Sequence, residues 1–162
     1  MGPKAKGLAF IDRVLDPTHA ICAIDDDGTL LGVAGFKTIK GALVGGEFRD
    51  LRAVFGWIGA SWRALLISAL ERDTENERFL MDGIFVAPAA RGRGVGTALL
   101  DAVCAEAKAR NFTEVRLDVI DSNPRARALY ERTGFVATKT SQLGPLRFIF
   151  KFRSATTMVR AV

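Results

Sequence analysis

Arg91-Gly92-Arg93-Gly94-Val95-Gly96-Thr97 is the run in this chain whose residue types and spacing can do chemistry. It follows an apolar run, Ile84-Phe85-Val86, that reads as a buried strand stopped by the Pro-containing turn Ala87 to Ala90. It opens a segment with helical periodicity. Gly-rich backbone entering a helix leaves several N–H groups unpaired and aimed at one point. The helix dipole adds partial positive charge there, so the turn is an anion site, with phosphate as its usual occupant. Arg91 and Arg93 add two guanidinium groups, which match phosphate oxygens in bidentate fashion. A Walker loop is excluded, because no Gly-Lys-Ser/Thr triplet occurs. A dinucleotide fingerprint is excluded too: its third glycine would fall on Thr97 or on Leu99, depending on register.

The elements that must position this loop follow from periodicity. Apolar residues Leu8, Ile11, Val14 and Leu15 are spaced as on a short helix over Lys4 to Leu15, and Asp16-Pro17 breaks it. Ala20 to Ile24 and Leu30 to Phe36 read as two strands of a hairpin around Asp25-Asp26-Asp27-Gly28. Three aspartates at a turn lack the alternating ligands and final Glu of a calcium loop. Gly41 to Gly46 reads as a loop. From Phe48 to Arg72, apolar residues at spacings of three and four give one broad face, as on a buried helix or two helices meeting near Gly56–Gly59. Trp57, Trp62 and Phe55 on that segment could line an acceptor pocket or a dimer interface. A membrane span over Ala53 to Leu70 is disfavoured by Arg63 near its middle.

Phe79 to Ala87 reads as the strand before the loop. A helix over Gly94 to Ala109 carries Val95, Leu99, Ala102, Val103 and Ala107 on its sheet side, and Asn111 ends it. Glu114 to Ile120 alternates Val115, Leu117 and Val119 with charged residues, as a strand does. Asp121-Ser122-Asn123-Pro124 starts a second helix, which stops at Gly134. Phe135 to Thr140 and Thr156 to Val162 read as closing strands, around an apolar connection of no evident type.

Composition limits the partners. The chain has 162 residues, 49% hydrophobic and 25% charged, with a formal net charge of +5. That is one domain able to bury a sizeable core. Its basic residues are scattered, which points to an anionic small ligand rather than to nucleic acid. Cys22 and Cys104 are far apart and read as buried, reduced hydrophobes of a cytoplasmic chain. His19 is the single histidine, too few for a His-rich metal cluster or a choice of catalytic bases.

The order strand, Gly loop, helix, strand, Asn-Pro helix, strand, strand, with Arg-x-x-Gly-x-Gly at Arg91–Gly96 and NPRARALYERTGF at Asn123–Phe135, resembles the core of the GNAT N-acetyltransferase superfamily. The resemblance is close from Asp82 to Phe135 and looser from Ala20 to Val162. It implies an α/β (α+β) fold with a central, mixed, mostly antiparallel twisted sheet flanked by helices. The sheet would be splayed between the strand at 80–87 and the strand at 114–120. It implies acetyl-CoA as cosubstrate, with no metal, and a primary amine on a small molecule or peptide as acceptor, attacked in a ternary complex. A non-catalytic acyl-CoA-binding domain of the same fold is the alternative. Family domains usually begin with a strand and two helices, and too few residues precede Ala20 for all three; either the N-terminus is truncated or the helical segment at 48–72 takes over that role.

By the same resemblance, Arg91, Gly92, Arg93, Gly94, Val95, Gly96 and Thr97 hold the pyrophosphate. The backbone of Ile84, Phe85 and Val86 pairs with the pantetheine amides as an added strand does. An N–H near Val86 polarises the thioester carbonyl, and Asn123 bonds the pantetheine arm. Arg125 and Arg127 reach the 3′-phosphate. Tyr130 is the general acid for the departing thiolate. Asp82 is the candidate base, with Glu77 behind it.

Overall fold

A computed structural model of the chain describes residues 3–38, 41–46, 49–57 and 78–162. Helix α1 (Pro3–Val14) comes first. Asp16 ends it by turning the chain, its carboxylate accepting from the Thr18 amide at 3.0 Å. The buried His19 ring locks the next corner, with Nδ1 2.9 Å from Asp16 Oδ2 and Nε2 3.0 Å from Thr38 Oγ1. Strands β1 (Ala20–Ile24) and β2 (Leu30–Thr38) form the expected hairpin. Gly41 to Gly46 is not wholly a loop: β3 (Gly41–Ala42) pairs back onto Thr38 and Lys37. Residues 49–57 are helical (α2) and meet α1 through Phe10–Phe55 rings 6.1 Å apart and an Arg13–Asp50 ion pair of 2.9 Å. The remainder of the expected 48–72 helix, with Trp62, lies outside the described residues, as does Glu77. No helix among the described residues is long and apolar enough to cross a membrane.

Strand β4 (Phe79–Val86) leads to α3 (Val95–Ala109), β5 (Glu114–Ile120), α4 (Pro124–Arg132) and β6 (Val136–Gln142). A short helical turn, α5 (Arg147–Phe150), precedes β7 (Ser154–Ala161). It gives the previously untyped apolar connection a structure. The seven strands form one sheet in the order β1-β2-β4-β5-β7-β6, with β3 beside β2. Among the described residues every pairing is antiparallel except β4 with β5.

The core lies between the sheet and α3. Val115, Leu117 and Val119 alternate inward from β5, meeting Val95, Leu99, Leu100, Val103, Cys104 and Ala107 of α3. Leu100 and Cys104 thus complete the stripe in place of Ala102, because the buried face is wider than one residue per turn. Asn111 adopts the left-handed conformation at φ 63°, and the Phe112 amide returns to the Ala107 carbonyl at 3.0 Å, closing the helix end. Cys22 is exposed, against expectation, since strand alternation turns its half-buried neighbours Ile21 and Ala23 to the core instead; Cys104 is buried. Leu100 has no exposed surface. Leu100→Ala is therefore expected to cost about 2–5 kcal/mol of unfolding free energy by denaturant titration; a loss under about 1 kcal/mol would mean the α3–sheet contact is not a packed core.

Candidate functional site

Strand β4 pairs with β2 from Leu80 to Val86, but with β5 only at Phe79–Val115 and Leu80–Arg116. Beyond Leu80 the two parallel strands part. One edge of β4 is left facing a gap, at the place the sequence resemblance implied. In an antiparallel ladder, alternate residues turn their backbone groups toward the partner strand and away from it. The Ala87 amide donates to the Leu31 carbonyl at 2.9 Å, and that sets the phase. Phe85 falls in a hydrogen-bonded pair with Val33, so its backbone is taken by β2. Ile84 and Val86, opposite Ala34 and Gly32, turn their N–H and C=O groups into the gap. Phe85 therefore leaves the set expected to offer backbone groups to a ligand, while Ile84 and Val86 stay in it.

Two departures from regularity surround this edge. The register slips between Gly35–Gly83 and Phe36–Met81, leaving Asp82 as the extra residue of a β-bulge. Such a bulge kinks the strand and re-aims its side chains. At the other end, Arg91 Nε donates to the Val86 carbonyl at 3.2 Å, folding the turn back onto the strand.

The turn itself is built on left-handed glycines. Gly92 and Gly94 have φ of 77° and 83°, a region that costs an L-residue about 1–2 kcal/mol. Gly94 caps α3 without any side-chain hydrogen bond. The helix ladder starts with the Ala98 amide on the Gly94 carbonyl, at 3.0 Å. The amides of Val95, Gly96 and Thr97 consequently have no intrahelical acceptor. Gly96 permits the close approach of α4, since a β-carbon there would stand 3.0 Å from Leu129 Cδ2.

These amides meet a cavity of about 740 Å³ lined by Val86, Ala90, Arg91, Gly92, Gly94, Gly96, Thr97, Arg125, Ala128, Leu129 and Arg132. Small-molecule sites run from about 300 to 1,000 Å³. Among the described residues three guanidinium groups and no carboxylate stand in this wall, which fits a phosphate-bearing ligand. Val86 joins the cavity to the gap, lining the one while its backbone faces the other.

The remaining expected residues are distributed differently. Arg93 is drawn out of the wall to the Asp25 carboxylate of the hairpin turn, 3.6 Å away, and Val95 points into the core. Arg127 turns to Glu131 at 2.9 Å. Arg132, not singled out from sequence, takes its place, because helical spacing puts Arg125, Ala128, Leu129 and Arg132 on one stripe and Arg127 and Glu131 on another. That spacing was available in the sequence as the signal. Asn123 caps α4, its Oδ1 accepting from the Ala126 amide at 3.2 Å, and it does not line the cavity.

Tyr130 is buried on α4, its ring 6.0 Å from that of Phe135. Burial raises its pKa above the ordinary 10.0. Among the described residues its hydroxyl has no hydrogen-bond partner, yet it is not sealed from solvent. Asp82 is exposed on the bulge.

A model of the acetyltransferase (GNAT) family matches residues 2–135. Mycothiol acetyltransferase from Beutenbergia cavernae is 50% identical over 50 residues, a stretch covering 31% of this chain and 17% of that protein. The fold matches nourseothricin acetyltransferase at a TM-score of 0.59 and 22% identity, over 88% of this chain and 64% of that one. It also matches a Bacillus anthracis structure, assigned as a streptothricin acetyltransferase and solved in complex with acetyl coenzyme A. That match has a TM-score of 0.60 and 16% identity, over 88% of this chain and 61% of that one. The chain thus spans less than two thirds of the length of these relatives.

Proposed function

The chain belongs to the acetyltransferase (GNAT) family, and on that premise we propose that it transfers an acetyl group from acetyl-CoA to a primary amine by direct attack with both substrates bound. The observation that carries this reading is the uncapped N-terminus of α3 opening into an arginine-walled cavity that continues, through Val86, to the unpaired edge of β4. When bound, acetyl-CoA supplies an activated acyl group as a thioester. The chain's own residues do the rest.

The amides of Val95, Gly96 and Thr97, with Arg91, hold the diphosphate. Ile84 and Val86 offer their gap-facing backbone groups to the pantetheine amides, and the Val86 N–H polarises the thioester carbonyl. Asn123 keeps an amide N–H₂ for the pantetheine arm, since its cap uses only Oδ1. An alkylammonium with pKa near ~10.4 needs roughly 4–5 kcal/mol to deprotonate at neutral pH. Asp82 takes that proton, directly or through water. As the new N–C bond forms and the C–S bond breaks, Tyr130 protonates the leaving sulfur. The proton released by nitrogen then restores the phenol through solvent.

Titration calorimetry with acetyl-CoA and with NAD, followed by thiol release over an amine panel, tests the reading. Absence of acetyl-CoA binding removes it. Binding without thiol release from any amine leaves a non-catalytic acyl-CoA-binding domain. Arg125 and Arg132 are the candidates for the 3′-phosphate. Arg132→Ala is expected to raise the acetyl-CoA dissociation constant about tenfold, the size of one charge-assisted contact. It should leave 3′-dephospho-acetyl-CoA unchanged, and an equal loss with both ligands would reassign Arg132 to the diphosphate.

A further inference from the structure

The connection from β6 to β7 closes at its base and carries its side chains beyond the sheet. Gln142–Ser154 is the last pair of those strands, and just past it the Leu143 amide donates to the Arg153 carbonyl at 2.9 Å. The carboxylate of Asp121, the residue after β5, accepts from the Arg153 amide at 3.2 Å and ties the base down. Phe148 is 77% exposed, more than any other large apolar side chain among the described residues. Arg147 lies along its ring, the guanidinium carbon 4.8 Å from the centroid. Phe150 and Phe152 are half-buried and stack on each other with centroids 6.1 Å apart. Lys151 holds a left-handed φ of 61°, its amide closing α5 on the Arg147 carbonyl at 3.0 Å. Arg147, Lys151 and Arg153 are all exposed. The sequence has no Asp or Glu after Glu131 to neutralise them.

We propose that this connection docks the protein on the surface of an anionic bilayer, with Phe148 entering the headgroup–acyl boundary and Arg147, Lys151 and Arg153 meeting lipid phosphates. It goes beyond the acetyl-transfer reading and does not depend on it. Binding at a membrane interface grows with the apolar area buried and with attraction between cations and anionic lipid. The connection supplies both within eleven residues, Leu143 to Arg153, on a base fixed by the hydrogen bonds to Asp121 and Arg153. Single-stranded nucleic acid fits less well, because it needs open aromatic faces along a groove. Here the Phe148 ring is covered by Arg147, and Phe150 and Phe152 face each other. A second copy of the chain meeting this one tip to tip would set three cations against three, a like-charge contact. A bilayer surface gives the ring an apolar phase and the cations an anionic one at the same depth.

The test is co-sedimentation of the whole chain with vesicles of phosphatidylcholine alone and of phosphatidylcholine mixed with phosphatidylglycerol. The partition coefficient is expected to be at least ~10-fold higher on the mixed vesicles and to fall as salt rises. A net charge of +5 would draw any face of the chain to such vesicles, so the deciding variants control for charge. Phe148→Ser keeps every charge and should lower the partition coefficient at least ~10-fold, the size of one lost phenylalanine burial. Lys151→Gln should lower it about fivefold. Lys108→Gln makes the same charge change on the last turn of α3, before β5 begins, and should lower it much less. All three side chains are exposed, so thermal melts of the variants should match the parent. Equal partition on the two kinds of vesicle overturns the proposal, as does an unchanged coefficient in Phe148→Ser. Equal losses in Lys151→Gln and Lys108→Gln also overturn it, leaving only diffuse attraction. A dimer in sedimentation equilibrium that Phe148→Ser dissolves, with no vesicle binding, would hand the surface to a second copy instead.

Discussion

Gly94→Asp is expected to weaken acetyl-CoA binding by at least ~100-fold, about 2.7 kcal/mol. Residue 94 sits at φ 83° as the N-cap of α3, with no side chain competing for the first amides. A capping aspartate accepts from the second or third helical amide, so its carboxylate would compete with the ligand for the Gly96 or Thr97 N–H. It would also place a negative charge where the diphosphate is expected. Gly94→Ala separates the two effects, because it meets the same left-handed strain without the charge. Calorimetry should show the alanine variant losing much less affinity than the aspartate variant. Equal losses would assign the effect to backbone geometry. An unchanged dissociation constant in Gly94→Asp would remove the anion site from the function.

Tyr130→Phe is expected to lower kcat by ~10²-fold or more with KM nearly unchanged, the size of general acid catalysis. The hydroxyl is the only atom group removed, and the ring keeps its packing on Phe135. Burial raises the Tyr130 pKa above its ordinary 10.0, so the phenol holds its proton through neutral and mildly alkaline pH, where the neutral fraction of an amine nucleophile is rising. The rate should accordingly rise with pH as the acceptor deprotonates, with no falling limb from Tyr130 below pH ~10. Stability follows the opposite course at high pH. Both states keep the proton below the ordinary phenol value. Above it the unfolded chain ionises first, so folded stability falls as pH rises toward the raised folded value. Tyr130→Phe should lack that alkaline loss in thermal melts. Equal turnover by the variant would take Tyr130 out of the mechanism.

Local chemistry made much of this molecule readable. The Asp25-Asp26-Asp27-Gly28 turn, the Asn111 helix end and the Asn123-Pro124 helix start each rest on what one or two residues can do with their own backbone. The structure has them where those preferences put them. The 3.6-residue stripe of α3 and the alternation of β5 depend only on which neighbours are apolar, and both face the core. The edges of elements were less legible. Gly41–Ala42 joins β2 as a short strand because β2 runs on to Thr38, and a glycine-rich stretch carries no apolar pattern to announce that pairing. Residue type alone marks Cys22 for the interior, but strand alternation governs which side it shows, and it is exposed.

A strand followed by an uncapped, glycine-entered helix was legible from residues alone, because unpaired amides and left-handed glycines are properties of a few consecutive positions; that Phe85 of the strand is exposed was not. Which side chains gather around the start of that helix depends on packing between distant segments. Arg132 replaces Arg127 in the wall, and Asp25 draws Arg93 away, since those outcomes depend on how α4 and the hairpin turn lie against the loop. The parting of β4 from β5, the phase that turns Ile84 and Val86 into the gap, and the bulge at Asp82 arise from register between strands distant in sequence. Pairing of that kind is a relation between segments, so no single stretch of residues carries it.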